Sequence, residues 1–192
     1  MQKSTLMKIS KLKKENSYLL IGILDDHITV KKSNTKRNFR NAYLKLGKLI
    51  VMGLTEADAK ALVSEGILSA DYDEHEEAIE FYEKALKIVE TGEIYLNKGI
   101  SLVELEKFED AVACYDKASA LDANDSLIWY NRGVVLTQLE RYDDALSSYD
   151  KAIEVSPGYA DAWYNKAELL KHKGQDTEAE NCFAKVKELE GE

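Results

Sequence analysis

Three asparagines, Asn97, Asn131 and Asn165, stand 34 residues apart in series. A primary amide offers a donor and an acceptor on one short side chain. Amides held in a row can therefore pair with the main chain of an extended peptide without reading its side chains. The residue types that carry catalysis are not grouped in this way. His27, His75 and His172 are widely separated, and no His/Cys pair has zinc-ligand spacing. The acidic run Asp71-Tyr72-Asp73-Glu74-His75-Glu76-Glu77 invites comparison with a calcium loop, which needs glycine at its sixth place and glutamate at its twelfth. Counted from Asp71, those places hold Glu76 and Tyr82, so the run is expected to be a turn between helices with a solvated acidic face. The sequence has no phosphate-binding loop, dinucleotide glycine motif or nucleophile elbow. An enzyme is not expected, nor is a bound cofactor or metal.

The step of 34 extends beyond the asparagines. Trp129-Tyr130-Asn131-Arg132-Gly133 returns as Trp163-Tyr164-Asn165-Lys166-Ala167 and is preceded by Tyr95-Leu96-Asn97-Lys98-Gly99. A second set keeps the same step: Ala111, Ala145 and Ala179, then Tyr115, Tyr149 and Phe183, then Ala118, Ala152 and Val186. Numbered from three residues before each leading aromatic, the units run 92–125, 126–159 and 160–192. A weaker unit at about 59–91 places Leu62, Gly66, Ala78, Tyr82 and Ala85 correspondingly and is one residue shorter. A period of this size, with two apolar patterns per unit, marks a solenoid of stacked helical hairpins.

In the clearest unit a short helix A is predicted from Trp129 to about Gln138, then a turn at Leu139-Glu140-Arg141-Tyr142. Asp143 and Asp144 suit the N-terminus of helix B. That helix carries Ala145, Tyr149, Ala152 and Val155 on one face. Ser156-Pro157-Gly158 ends it, because proline cannot continue a helix. Gly133 and Ala145 are expected where helix A crosses helix B, with Tyr149 filling the space beside them. Trp129 and Trp163 are expected to wedge against the preceding unit.

These places resemble the tetratricopeptide repeat (TPR) pattern of Trp, Gly, Ala, aromatic, Ala and Pro over residues 59–192. The resemblance implies an all-α, right-handed α-solenoid of about four helical hairpins at 58–192, behind an N-terminal extension at 1–57. Lys98, Arg132 and Lys166 depart from the pattern by replacing the leucine usual before the glycine. They are expected to lay long stems over the core and expose their charges. Ala123 stands where the next unit has Pro157, which predicts less sharply fixed helix ends. No extra polar helix follows the fourth unit. Its end needs cover from its own polar face, a second chain or a partner.

In the family, helix A residues line a concave ligand surface. Carried over place by place, the sixth place of the units holds Ser64, Asn97, Asn131 and Asn165, which gives the amide series a peptide-holding role. Leu96, Tyr130 and Tyr164 lie at the fifth place, and Ile100 and Val134 at the ninth. Glu93, Glu104, Asp161 and Glu168 add negative charge, so the expected ligand is a protein or peptide segment with apolar and basic residues. Some family members clamp the terminal carboxylates of chaperones with Lys, Arg and Asn. Here the corresponding places hold Val63, Ile67, Asn97, Leu127 and Asn131, and only asparagine matches, so no carboxylate clamp is expected.

Charge divides the chain. Residues 1–57 hold 12 Lys/Arg against 4 Asp/Glu, while residues 58–192 hold 14 against 31, so the net charge of −9 conceals a basic head on an acidic body. In the head, Tyr18–Leu24 and Ile28–Lys32 flank Asp25-Asp26-His27 and read as a short β-hairpin. Phe39, Tyr43, Leu46 and Ile50 fall on one helical stripe, with Arg37, Arg40, Lys45 and Lys48 opposite, as in an amphipathic helix. The head is expected to dock on the acidic array. It has no nucleic-acid-binding signature, and its longest apolar run is about one third of a membrane span. That run ends in Asp25-Asp26 without a small-residue cleavage site, so no secretory signal is expected and the cytoplasm is the default. Cys114 and Cys182, two units apart, lie beyond bridging distance and are expected to be free thiols. Together these readings describe a protein-interaction scaffold that holds an extended peptide. The alternative is a structural module that self-associates through the head or the C-terminal end.

Overall fold

The computed structural model describes residues 53–191. The hairpin, the amphipathic helix and the docking expected of the head fall on residues outside this range. Eight helices occupy the described residues: α1 Glu56–Asp71, α2 His75–Leu86, α3 Gly92–Glu104, α4 Phe108–Leu121, α5 Ser126–Gln138, α6 Tyr142–Val155, α7 Ala160–His172 and α8 Asp176–Glu190. They pair as four hairpins. Each odd helix is helix A of a unit and each even one helix B. Helix A of the clearest unit starts at Ser126, three residues before the tryptophan that marks it in sequence.

Small residues decide how closely the two helices of a hairpin approach. Ala78, Ala111, Ala145 and Ala179 are buried on the B side, and the rings of Tyr82, Tyr115 and Tyr149 lie beneath the facing glycines. A Cβ on Gly66, Gly99 or Gly133 would stand 2.5, 2.5 and 2.6 Å from the Cε1 of Tyr82, Tyr115 and Tyr149. Any side chain larger than hydrogen would force ring and helix apart. The fourth unit has Ala167 at this place and Phe183 as its ring, and Phe183 is only half-buried.

The turn inside each hairpin is one motif repeated four times. Asp73, Glu106, Glu140 and Gly174 all have left-handed φ, at 66°, 57°, 58° and 73°. The next residue donates its N–H back to a carbonyl five residues earlier, as in Arg141 to Leu136 and Gln175 to Leu170, both near 2.9 Å or shorter. This closes the last turn of helix A as a Schellman motif. Three of the four left-handed places carry a side chain that disfavours them. The acidic run at 71–77 is the first of these turns, as its sequence suggested.

Between units the two tryptophans tie down the connection. The Nε1 of Trp129 donates to the Ala123 carbonyl and that of Trp163 to the Pro157 carbonyl, each at 2.9 Å. Helices α4 and α6 end at equivalent residues, Leu121 and Val155. Proline is therefore not what fixes the helix end, contrary to the expectation from Ala123. The indole supplies the same anchor in both copies.

Lys98, Arg132 and Lys166, before Gly99, Gly133 and Ala167, also differ from expectation, because their charges are paired. Lys98 Nζ lies 2.7 Å from Glu83, Arg132 Nε 2.7 Å from Asp116 and Lys166 Nζ 2.6 Å from Asp150. Each basic side chain is largely covered, and each pair joins helix A to helix B of the preceding unit. Arg132 also donates to the Ser148 hydroxyl at 2.6 Å, within its own hairpin. The hydrogen bond from Lys98 holds the Glu83 carboxyl below its ordinary pKa.

Candidate functional site

Successive A helices touch one another, α1 with α3, α3 with α5 and α5 with α7, in addition to their hairpin partners. This shared A-helix face is where the amide series lies. Asn97, Asn131 and Asn165 are all half-buried at equivalent places. They are not chemically equivalent. Asn165 Nδ2 donates to the Tyr130 hydroxyl at 3.1 Å, across the junction of units three and four. Asn97 and Asn131 make no side-chain hydrogen bond with another described residue, so both amides keep their donor and acceptor. Ser64, at the same place in α1, turns its hydroxyl back to the Lys60 carbonyl at 3.0 Å.

Tyr130 is the centre of an aromatic cluster. Its ring centroid lies 4.9 Å from that of Tyr159 and 6.3 Å from that of Tyr149. Burial, reinforced by the Asp161 carboxylate, raises the Tyr130 hydroxyl, and the hydrogen bond from Asn165 opposes the shift. Tyr159 is pushed up to about 12, first by burial and then by Tyr130, Asp161 and Asp125. Both hydroxyls stay neutral and able to hydrogen-bond. Sequence reasoning missed Tyr159. It sits at the last place of its unit, where Asp125 stands one repeat earlier, so no periodicity marks it.

The remaining expected residues divide between core and surface. Leu96 is buried and unavailable to a ligand. Ile100 is exposed and Val134 half-buried, while Ile67, at the same place in α1, is also exposed. Tyr164 is exposed and meets Phe183 edge-on at 5.7 Å. Glu93, Glu104, Asp161 and Glu168 are all exposed. Between α1 and α3 lies a shallow hollow of about 330 Å³ lined by Lys60, Val63, Ser64, Ile67, Glu93 and Ile94. The hollow is large enough for one or two side chains of a ligand, near the lower limit for binding pockets.

Cys114 and Cys182 are buried free thiols, and burial raises both above the usual thiol range. Among the described residues no group of three His, Cys, Asp or Glu side chains could hold a metal ion. No helix among them is long and apolar enough to cross a membrane.

Models of the tetratricopeptide repeat match residues 59–88, 96–160 and 136–191, which together take in most of the chain. The chain belongs to the tetratricopeptide repeat family. Solved TPR structures share its fold. MamA superposes with a TM-score of 0.68 at 20% identity, covering 84% of this chain and 97% of that one. YrrB, described as a TPR protein with an unusual peptide-binding site, superposes at 0.63 with 25% identity and covers 82% and 81%. The first TPR of Spaghetti, bound to the HSP90 peptide SRMEEVD, gives 0.60 at 20% identity and covers 62% and 96%. No curated protein matches the chain significantly in sequence.

Proposed function

We propose that this TPR array is an interaction scaffold that holds an extended peptide segment along its A-helix face. The carrying observation is the pair Asn97 and Asn131, whose free amides stand at one place in successive helices beside the exposed Ile67 and Ile100. Amides of this kind read the ligand main chain, and the isoleucines supply apolar anchorage. The peptide-binding site named for YrrB, at 25% identity, is consistent with such a role. Exposed Glu93, Glu104, Asp161 and Glu168 favour a ligand that carries Lys or Arg. A terminal-carboxylate ligand is disfavoured, because the places of the chaperone clamp hold Val63, Ile67 and Leu127 rather than basic side chains.

Selection from a random peptide library, followed by calorimetric titration of the selected peptides, tests this reading. Selected sequences should combine apolar with basic residues and bind wild type more tightly than Asn97→Ala/Asn131→Ala. Equal affinity for both proteins would refute the assignment.

A further inference from the structure

The hollow between α1 and α3 has a filled counterpart two junctions along the array. Its lining includes Val63 of α1 and Thr91, the N-cap of α3. Counted from the glycine or alanine at each helix crossing, Val63 shares its place with Leu96, Tyr130 and Tyr164. Thr91 shares its place with Asp125 and Tyr159. Where α5 meets α7 these two places therefore hold Tyr130 and Tyr159, half-buried rings that pack with centroids 4.9 Å apart. Where α3 meets α5, Leu96 is buried and Asp125 accepts the Leu127 N–H at 2.9 Å. Beside α1 the two smallest residues of the series leave open space.

The polar groups correspond as well. The Tyr130 hydroxyl accepts from Asn165 Nδ2 at 3.1 Å and lies in the field of the Asp161 carboxylate. Asn97 and Glu93 hold the places of Asn165 and Asp161 in α3. Neither has a side-chain partner among the described residues, and Glu93 lines the hollow. Ala59 and Ile94 contribute buried apolar surface, and Ile67 stands exposed at the edge. At about 330 Å³ the hollow has room for one aromatic ring and its stem.

We propose that this hollow receives a tyrosine side chain of the bound peptide, its ring against Val63, Ile67 and Ile94 and its hydroxyl accepting from Asn97 Nδ2. Such an occupant presupposes the A-helix face as the peptide groove, and it gives that groove an aromatic anchor at its first junction. Tyrosine brings a flat apolar body with one polar tip, which matches apolar walls beside a free amide. Phenylalanine would cover the Asn97 donor without pairing it, at the cost of an unmet hydrogen bond. Asn97 Oδ1 stays available to a main-chain N–H of the same ligand. The ligand thus repeats, between units one and two, the contact that Tyr130 makes with Asn165 inside the protein.

The probe is p-cresol, the tyrosine side chain as a free molecule. Added to the isotopically labelled full chain, it should shift the NMR signals of Val63, Ile67, Ile94 and the Asn97 side-chain amide saturably. It should bind about threefold or more tightly than toluene, the margin of one hydrogen bond. Val63→Tyr installs the residue that α5 has at this place, and should weaken p-cresol by about tenfold or more. Asn97→Ala should abolish the preference over toluene and leave toluene binding unchanged. Thermal unfolding of both variants serves as the fold control. The assignment is overturned by the absence of saturable shifts at these residues, by equal p-cresol affinity in wild type and Val63→Tyr, or by a preference that survives Asn97→Ala. Peptide selection separates this anchor from the groove itself. Selected peptides that depend on Asn97 and Asn131 but carry no aromatic residue would sustain the groove and overturn the anchor.

Discussion

Asn165 Nδ2 stands 3.1 Å from the Tyr130 hydroxyl, one unit away along the array. The third amide of the series is therefore committed inside the protein, while Asn97 and Asn131 remain free. Replacing Asn97 and Asn131 by Ala should weaken a selected peptide by about tenfold or more, at roughly 0.5–1.5 kcal/mol per lost hydrogen bond. Asn165→Ala should change affinity by no more than about twofold on the same scale. It should also raise the Tyr130 pKa further, since the amide stabilises the phenolate. Titration calorimetry and NMR titration of the tyrosine rings check the two halves of this prediction.

Gly133→Ala places a methyl carbon 2.6 Å from Tyr149 Cε1. Helix propensity favours alanine by about 1 kcal/mol, and overpacking opposes it by roughly 1–3 kcal/mol, so the net change should be destabilising. Gly133→Leu should cost more. Urea unfolding measures both, and an unchanged midpoint for the leucine variant would contradict the packing described.

Glu140 has φ of 58° in the turn between α5 and α6. Glycine adopts this region without strain, so Glu140→Gly should stabilise the array by about 1 kcal/mol. The same change at Glu168, which lies inside α7, should destabilise by a similar amount. Opposite shifts in the urea midpoint are the expected result.

The pairing of Glu83 with Lys98 makes stability depend on pH. The folded-state pKa of Glu83 lies below its ordinary value, so the contribution of the pair is complete above the ordinary carboxylate range and is lost as pH falls through the lowered value. Lys98→Met should raise the Glu83 pKa and flatten the acid limb of the stability profile. Because Glu83 is exposed, the effect should be small and should shrink with added salt. NMR titration of the Glu83 carboxyl carbon with and without the lysine is the direct check.

The repeat spacing alone was enough to read the hairpins, their crossing glycines and the helix B stripe. Periodicity reports those features because each unit must bury the same face against the next. The paired state of Lys98, Arg132 and Lys166 was not legible, since each acid lies 15 or 16 residues upstream on a different helix. Position in a repeat likewise indicates that Asn165 shares the A-helix face, but not that Tyr130 already occupies it. The left-handed turns were hidden for a simpler reason. Only Gly174 among the four carries the residue type that signals one. Leu96 was placed beside the ligand because it shares a repeat place with Tyr130, although the close approach of neighbouring units buries it.

The three inter-unit ion pairs also bear on how such an array can lengthen. Each internal junction sets a base on helix A against an acid on the helix before it, so duplication of the segment 92–125 or 126–159 would recreate a matched junction at once. The first unit could not be copied inward as freely, since Glu65 would meet Asp116 or its equivalent with like charge. Growth by internal duplication is thus open in the middle of the array and restricted at its N-terminal unit, a constraint written in one charged place per repeat.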